Sequence, residues 1–369
     1  AKELSVSPVV GQLLVNRGFD VEDLDAARKF TTPKLTDLHE PADLPGAVEA
    51  AERIAKALRD REPIVIFGDY DVDGITATSV LWHALTLLAK DLNGDHDGDP
   101  QLIRTYIPHR MDEGYGLSTD AVEQLAEDGA KLIITVDCGI TAAEQATRCK
   151  ELGVDLIVTD HHEWHVEDGQ PLLPTDAACI VHPRLPGHEP AYGNGDLVGA
   201  GVAFKLAWQI GKAVTGRPKV SEAMRRFLVD AMALAALGTV ADVAPLLGEN
   251  RVLVGFGLGA MNKTSLDGLR ALIDSAGLAD TPLEAYHVGF LLGPRLNACG
   301  RMGHAELAVE MLTTAGPGRA REIAAFLEQQ NKDRQQTERD IVAGAVEQVR
   351  DAGYDADDCP AIVVAGDDW

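Results

Sequence analysis

The densest chemistry in the chain lies in three short runs of acidic and imidazole side chains. They are Gly68-Asp69-Tyr70-Asp71-Val72-Asp73-Gly74, then Asp137-Cys138-Gly139, then Asp160-His161-His162-Glu163. Carboxylates gathered in one place repel one another unless a cation lies between them. Aspartate oxygens with imidazole nitrogen and no thiolate suit hard or borderline ions, Mg2+ or Mn2+. Two such ions about 3.5–4 Å apart clamp the attacking and leaving oxygens of a phosphate ester. Asp69, Asp71 and Asp73, alternating on a glycine-bounded loop, can offer oxygens to more than one ion, and a helix start after the loop favours bound anions. Taken singly, each run has an ordinary reading: a turn or helix cap for the first, packing for the histidine pair, nothing for a lone Asp137. A calcium loop does not fit, because position twelve counted from Asp69 is Val80, where a bidentate Glu belongs.

The runs gain weight from the elements that position them. Residues 64–67, 132–136 and 156–159 are short apolar stretches of the kind that form buried parallel strands, and each run follows one. Ligands collect at the carboxyl ends of such strands. Between them fall helices over 46–60, 75–90 and 118–127, with Ser118 as N-cap. Thr141-Ala142-Ala143-Glu144 reads as a capping box opening a helix to residue 152. Further strands are expected at 102–107 and 178–181. The fold class is therefore α/β, a parallel sheet flanked by helices, followed by a mostly helical segment. That segment carries expected helices at 199–214, 221–237, 250–262, 266–275, 282–291, 305–313 and 319–351. A strand-like run follows at 361–364. Residues 1–45 read as an N-terminal arm with a short helix over 21–30, and 91–100 as an acidic solvated loop. The organisation expected is an arm (1–45), a metal-binding catalytic domain (46–245), a helical segment (246–358) and the beginning of a second domain (359–369).

Composition sets limits on partners. With 369 residues, 46% hydrophobic and 25% charged, the chain has an ordinary globular make-up. No apolar run approaches the roughly 20 residues of a membrane helix, and the start has no signal-peptide pattern. A cytoplasmic protein with no membrane contact is expected. Five cysteines, none spaced as CxxC, argue against a disulfide framework and a zinc-thiolate site. The formal net charge of -25 opposes nucleic-acid binding unless bound cations and a few local arginines reverse the field in one cleft.

The three runs resemble the DHH phosphoesterase superfamily, whose name is spelled by Asp160-His161-His162. Gly238-Thr239-Val240-Ala241-Asp242-Val243 supplies the family's fourth motif; unaided, it reads as a helix end with a glycine cap and Asp242 as a capping residue. Pro108-His109-Arg110, Glu113-Gly114-Tyr115-Gly116-Leu117 and the run from Gly293 to Gly303 are similar to the family's bacterial single-strand exonucleases. The resemblance runs from about residue 60 to the end, where 365–369 looks like the start of the family's second conserved domain. It implies a catalytic set of His162, Asp137 and Asp160. Asp137 would bridge two Mn2+ or Mg2+ ions, Asp71 would serve one ion, and Asp73, His161 and Asp242 the other. Family members often carry a histidine where this chain has Phe67, and Asp69 is the expected substitute ligand. Arg110, Arg295, Asn297 and Arg301 are candidate phosphate contacts, and Tyr115 a candidate base-stacking residue. The implied activity is hydrolysis of single-stranded DNA, 5′ to 3′ to mononucleotides, in repair and recombination. The enzyme would act as a monomer, with a helicase or single-strand-binding protein as candidate partner. The alternative within the superfamily is a phosphodiesterase of short oligoribonucleotides or cyclic dinucleotides, usually built on a smaller core. A non-catalytic replication scaffold is the rival of another class, and the complete ligand set speaks against it.

Overall fold

The computed structural model describes the chain except for Val21, residues 94–101, Met111, residues 302–303, 355–360 and 367–368. In the arm, helix α1 (Pro8–Asn16) precedes α2 (Leu24–Thr31). Only α2 was expected. The α1 helix starts on a Ser7 cap with Pro8 at its first turn, but buries only Leu14, so it lacks the apolar stripe that marks a helix in sequence. Helix α3 (Ala47–Asp60) leads to the sheet.

The sheet is formed by β1 (Ile64–Gly68), β2 (Ile103–Tyr106), β3 (Leu132–Val136), β4 (Asp155–Thr159) and, after an exposed hairpin of β5 (His165–Glu167) and β6 (Gln170–Leu172), β7 (Cys179–Val181). Its order is β2-β1-β3-β4-β7, with every neighbouring pair parallel. Alternate residues of each strand enter opposite cores, as a two-residue period requires. Ile64, Ile66, Ile134 and Ile157 face one apolar cluster, and Val65, Phe67, Ile133 and Val158 the other. The second cluster is closed by α5 (Thr119–Glu127) and α6 (Ala143–Leu152). On the first lie α3, α4 (Val72–Asn93), α7 (Gly199–Thr215) and α8 (Glu222–Ala241).

The helical half continues with α9 (Gly248–Met261), α10 (Asp267–Ser275), α11 (Ala285–His287), a π turn over Val288–Leu292, α12 (Gly293–Arg301), α13 (Ala305–Leu312) and α14 (Pro317–Asp351). Its buried side chains belong to the same cluster as the sheet's first face, which runs from Leu44 to Leu327 without a break at residue 245. A buried Lys205–Glu249 ion pair joins α7 to α9. The Tyr192 hydroxyl donates to Glu249 at 2.5 Å, and the His39 amide donates to its other oxygen at 2.8 Å, which ties in the arm.

Several expectations need correction. Helix α4 begins at Val72, inside the first acidic run, because the Asp71 carboxylate accepts the Gly74 amide at 3.0 Å and caps it. The Thr141 capping box does not form. Helix α6 begins after Ala142, which has no side-chain cap, while the Ala142 amide donates to Gly139 O. Gly238 is not a cap but lies inside α8, where helices cross closely. A Cβ there would stand 2.7 Å from Ala200 Cβ and 2.5 Å from Asp73 Oδ1. Residues 361–364 pair with no strand among the described residues, and Val363 is exposed. Among the described residues, one helix, Val72–Leu92, is long and apolar enough to cross a membrane by length and composition. It is the core helix α4, packed against β1, α7 and α8. Cys138, Cys149, Cys179 and Cys299 are free thiols; Cys359 lies outside the described residues, as do 94–100 of the acidic loop.

Candidate metal centre

Sheet register explains why the chemical residues meet. Gly68 pairs with Val136, Val136 with Thr159, and Thr159 with Val181. The next residue of each strand is therefore in one row: Asp69, Asp137, Asp160 and His182. The chain leaves β1 towards β2 on one side and resumes at β3 on the other, so the row spans the point where strand order reverses, the usual place for a ligand crevice.

Three donor groups lie along this row, each with its ligand atoms within 4.8 Å of one another: Asp69, Asp71 and Asp137; Asp73, His161 and Asp242; Asp137, His161 and His162. Asp137 Oδ1 stands 3.0 Å from His161 Nε2, which is 3.7 Å from Asp73 Oδ2 and 4.0 Å from Asp242 Oδ2. Phe67 is buried in the sheet, its ring stacked on Tyr106, and offers nothing to the crevice. Asp69 does: it is buried beside Asp71 and Asp137.

The electrostatics require a counter-charge. Burial and the charge of Asp71 push Asp69 up to about 7. Burial and Asp71 push Asp73 up to about 8, and Asp242 to about 6. Asp137 is driven well above the carboxylate range by burial and then by Asp73. His161 cannot be the neutralising cation, since burial and then His162 hold it down to about 4. Asp69 Oδ1, Asp137 Oδ1 and His161 Nε2 are all buried without a hydrogen-bond partner. Orphaned, mutually repelling oxygens around a neutral imidazole are the donor set a divalent ion satisfies, so these residues fit Mn2+ or Mg2+.

The neighbouring groups hold this set in place. Asp73 accepts the amides of Gly199 at 2.6 Å and Ala200 at 2.8 Å, at the start of α7. Asp137 has the left-handed φ of 61°, and Gly199 faces it so closely that a Cβ would lie 2.7 Å from its side chain. Asp160 is buried with both oxygens engaged. Oδ1 accepts the His161 amide at 2.7 Å and His162 Nδ1 at 2.8 Å, and Oδ2 accepts the Ile140 amide at 2.9 Å. Although burial raises the Asp160 carboxyl, its bonds with His162 outweigh that and lower it. Its hydrogen bond in turn raises His162, which is half-exposed. Asp160 thus positions His162 and the Asp137 loop rather than facing the crevice.

The sequence reading missed a fourth strand end. His182 Nε2 lies 2.9 Å from His162 O, and an Arg184 guanidinium N–H donates to His161 O at 2.8 Å. Their signal was present in His182-Pro183-Arg184 just past β7. Tyr115 is 53% exposed, not core, and its hydroxyl lies 3.4 Å from both Asp137 O and His162 Nδ1. Tyr70 packs edge-on to Tyr115, and the exposed Arg110 lies 4.7 Å over the Tyr70 ring. The α12 candidates divide. Arg295 is buried and ion-paired with Glu328 of α14 at 2.7 Å, so it braces two helices and is not brought to the crevice. Asn297 is half-buried on the same helix. The side chain of Arg301, with Met302 and Gly303, lies outside the described residues. Gly300 brings α12 against the first acidic run, where a Cβ would meet Tyr70 O at 2.2 Å.

Residues 63–236 match the model of the DHH family, N-terminal domain. The chain is 41% identical over 368 residues to the single-stranded-DNA-specific exonuclease RecJ of Bacillus subtilis, covering all of this chain and 42% of that protein. It is 36% identical over 340 residues to RecJ of Thermus thermophilus, covering 91% of this chain and 44% of the relative. It thus spans less than half the length of these two relatives. A crystal structure of exonuclease RecJ bound to manganese superposes with a TM-score of 0.68 at 35% identity, over 85% of this chain and 72% of that one. The Mn2+ complex of Thermus thermophilus RecJ gives 0.70 at 33% identity, over 94% and 45%. With four strand ends converging on one crevice and this likeness across nearly its whole length, the chain belongs to the DHH family and is similar to RecJ proteins.

Proposed function

We propose that the chain hydrolyses the backbone of single-stranded DNA from an end, 5′ to 3′ and to mononucleotides, as the catalytic part of a cytoplasmic repair and recombination nuclease. The observation that carries this reading is the pair of donor sets joined through Asp137 and His161, with orphaned oxygens at the centre. The manganese and magnesium complexes of RecJ structures support the choice of ion. Bound there, two ions would lower the pKa of an attacking water and draw charge from the phosphoryl oxygens.

The chain's own groups do the rest. Asp69, Asp71 and Asp137 would hold one ion, and Asp73, His161 and Asp242 the other, with Asp137 shared. His162, raised by its hydrogen bond with Asp160, would in its protonated form donate to the developing negative charge at the scissile phosphate. Arg110 and Tyr70 with Tyr115 make a cation-and-ring row ending at His162, suited to a phosphate and a stacked base. Action as a monomer beside a helicase or single-strand-binding protein belongs to the same reading. The helical half, sharing one core with the sheet, favours a long substrate over the short oligoribonucleotides or cyclic dinucleotides of the smaller enzymes.

The test is degradation of a 5′-labelled long single strand beside its duplex and a dinucleotide, with Mn2+, with Mg2+ and with chelator. Early release of labelled mononucleotide from the single strand alone, lost with chelator, is the expected result. Cleavage of the dinucleotide alone would assign the short-substrate phosphodiesterase instead.

A further inference from the structure

Away from the metal crevice, the arm and α9 enclose a cavity of about 860 Å3, lined by Phe19, Phe30, Leu246, Leu247, Arg17 and Arg251 among others. Its size is that of a small-molecule site, and its make-up is a mostly apolar wall with a few polar groups. Two of those groups are unneutralised. Arg17 is exposed and Arg251 half-buried, and neither has a carboxylate partner among the described residues. Lys29, also on the wall, is paired with Asp25 at 2.9 Å; of the two carboxylates there, Asp37 accepts the Lys34 amide at 2.7 Å and Glu249 is consumed by Lys205 and Tyr192. Arg251 is fixed from behind: its guanidinium lies 3.8 Å over the Phe30 ring and donates to Phe30 O. Both arginines line this one cavity, and burial, then the charge of Arg17, lowers Arg251. On a chain of net charge -25, two unpaired arginines at the mouth of an apolar cavity are an anion site with a hydrophobic floor.

We propose that this cavity binds a nucleotide, its base against Phe19, Leu246 and Leu247 and its phosphate between Arg17 and Arg251. A planar aromatic body with one compact anionic end matches both features, and guanidinium forks match phosphate. The floor begins at Leu246, four residues after Asp242 in the chain. The site has none of the donor sets described above and holds rather than cuts. The source is either a free mononucleotide or one residue of a longer strand.

The experiment is calorimetric titration of dAMP into the chain in excess chelator, where the metal crevice is inactive and the proposed hydrolysis plays no part. Binding is expected, weaker by roughly tenfold in Arg17→Glu and unchanged in Asp137→Asn. Arg17 lies on the surface, so its reversal does not endanger folding. Absence of dAMP binding, equal affinity in Arg17→Glu, or displacement of dAMP by octanoate would overturn the assignment. An oligothymidylate that competes with dAMP identifies the strand as the source; one that does not identifies the free mononucleotide. Either result upholds the site.

Discussion

Asp137 carries the most consequence of any single residue, since its Oδ1 is an orphan 3.0 Å from His161 and its carboxylate is shared by two donor groups. Asp137→Asn should lower turnover by about a hundredfold or more and abolish Mn2+ binding, read by calorimetry beside the nuclease assay. His162→Ala should separate the two readouts, keeping Mn2+ affinity while turnover falls by roughly a hundredfold. Asp160→Asn gives a third signature. The Asp160 hydrogen bond raises His162, so its loss returns His162 towards its ordinary value. A reaction that needs the protonated imidazole then fails at a lower pH than in wild type. The alkaline limb of the pH–rate profile should move down; an unmoved limb would remove His162 from the protonated role. The sequence made the ligands legible because three carboxylate or imidazole runs each followed an apolar strand. It could not show which aspartate faces inward. That Asp160 turns under the histidines is a matter of three backbone amides and one ring, invisible before the chain is folded.

Helix crossings set the position of these groups. Asp73 is delivered by α4, held by the first amides of α7 and overlaid by Gly238 of α8. Gly238→Ala places a methyl 2.5 Å from Asp73 Oδ1 and 2.6 Å from Thr76 Oγ1. It should therefore weaken metal binding while leaving the circular dichroism of the helices intact. A fully active Gly238→Ala would show that the crossing has slack. The five strands of the parallel sheet were legible to within a residue, since buried parallel strands announce themselves as short apolar runs; the exposed β5–β6 hairpin was not expected, and the apolar run at 361–364 forms no strand. Helix ends were less so. Asp71 caps α4 three residues earlier than its apolar period begins, and α8 passes through a glycine that looked like a stop. Arg295 marks the limit of reading arginines as phosphate contacts, because its partner Glu328 is 33 residues away on another helix. Arg295→Ala should cost about 2–3 kcal/mol in unfolding free energy, with little change in KM for DNA.

At the scale of the whole molecule, the buried carboxylates of the metal centre set a pH dependence of stability. Asp69, Asp73 and Asp242 are raised to about 7, 8 and 6 in the fold, against about 4 in the unfolded chain. Between those limits the folded state binds more protons than the unfolded one, so the metal-free protein loses stability as pH rises from about 4 to 8. Melting temperature without metal should accordingly fall over that range, and Mn2+ should both raise it and flatten the slope, because an ion replaces the protons. The buried Lys205–Glu249 pair, which locks arm, α7 and α9, gives an independent check on the architecture. Glu249→Ala leaves a buried ammonium unpaired and should cost about 3–5 kcal/mol. The most direct test of the central claim is the number of Mn2+ ions bound per chain, measured by equilibrium dialysis with elemental analysis on wild type and Asp137→Asn. Two ions on wild type, lost in Asp137→Asn, is the predicted result. No bound Mn2+ on a folded wild-type chain, or full occupancy retained in Asp137→Asn, would contradict it.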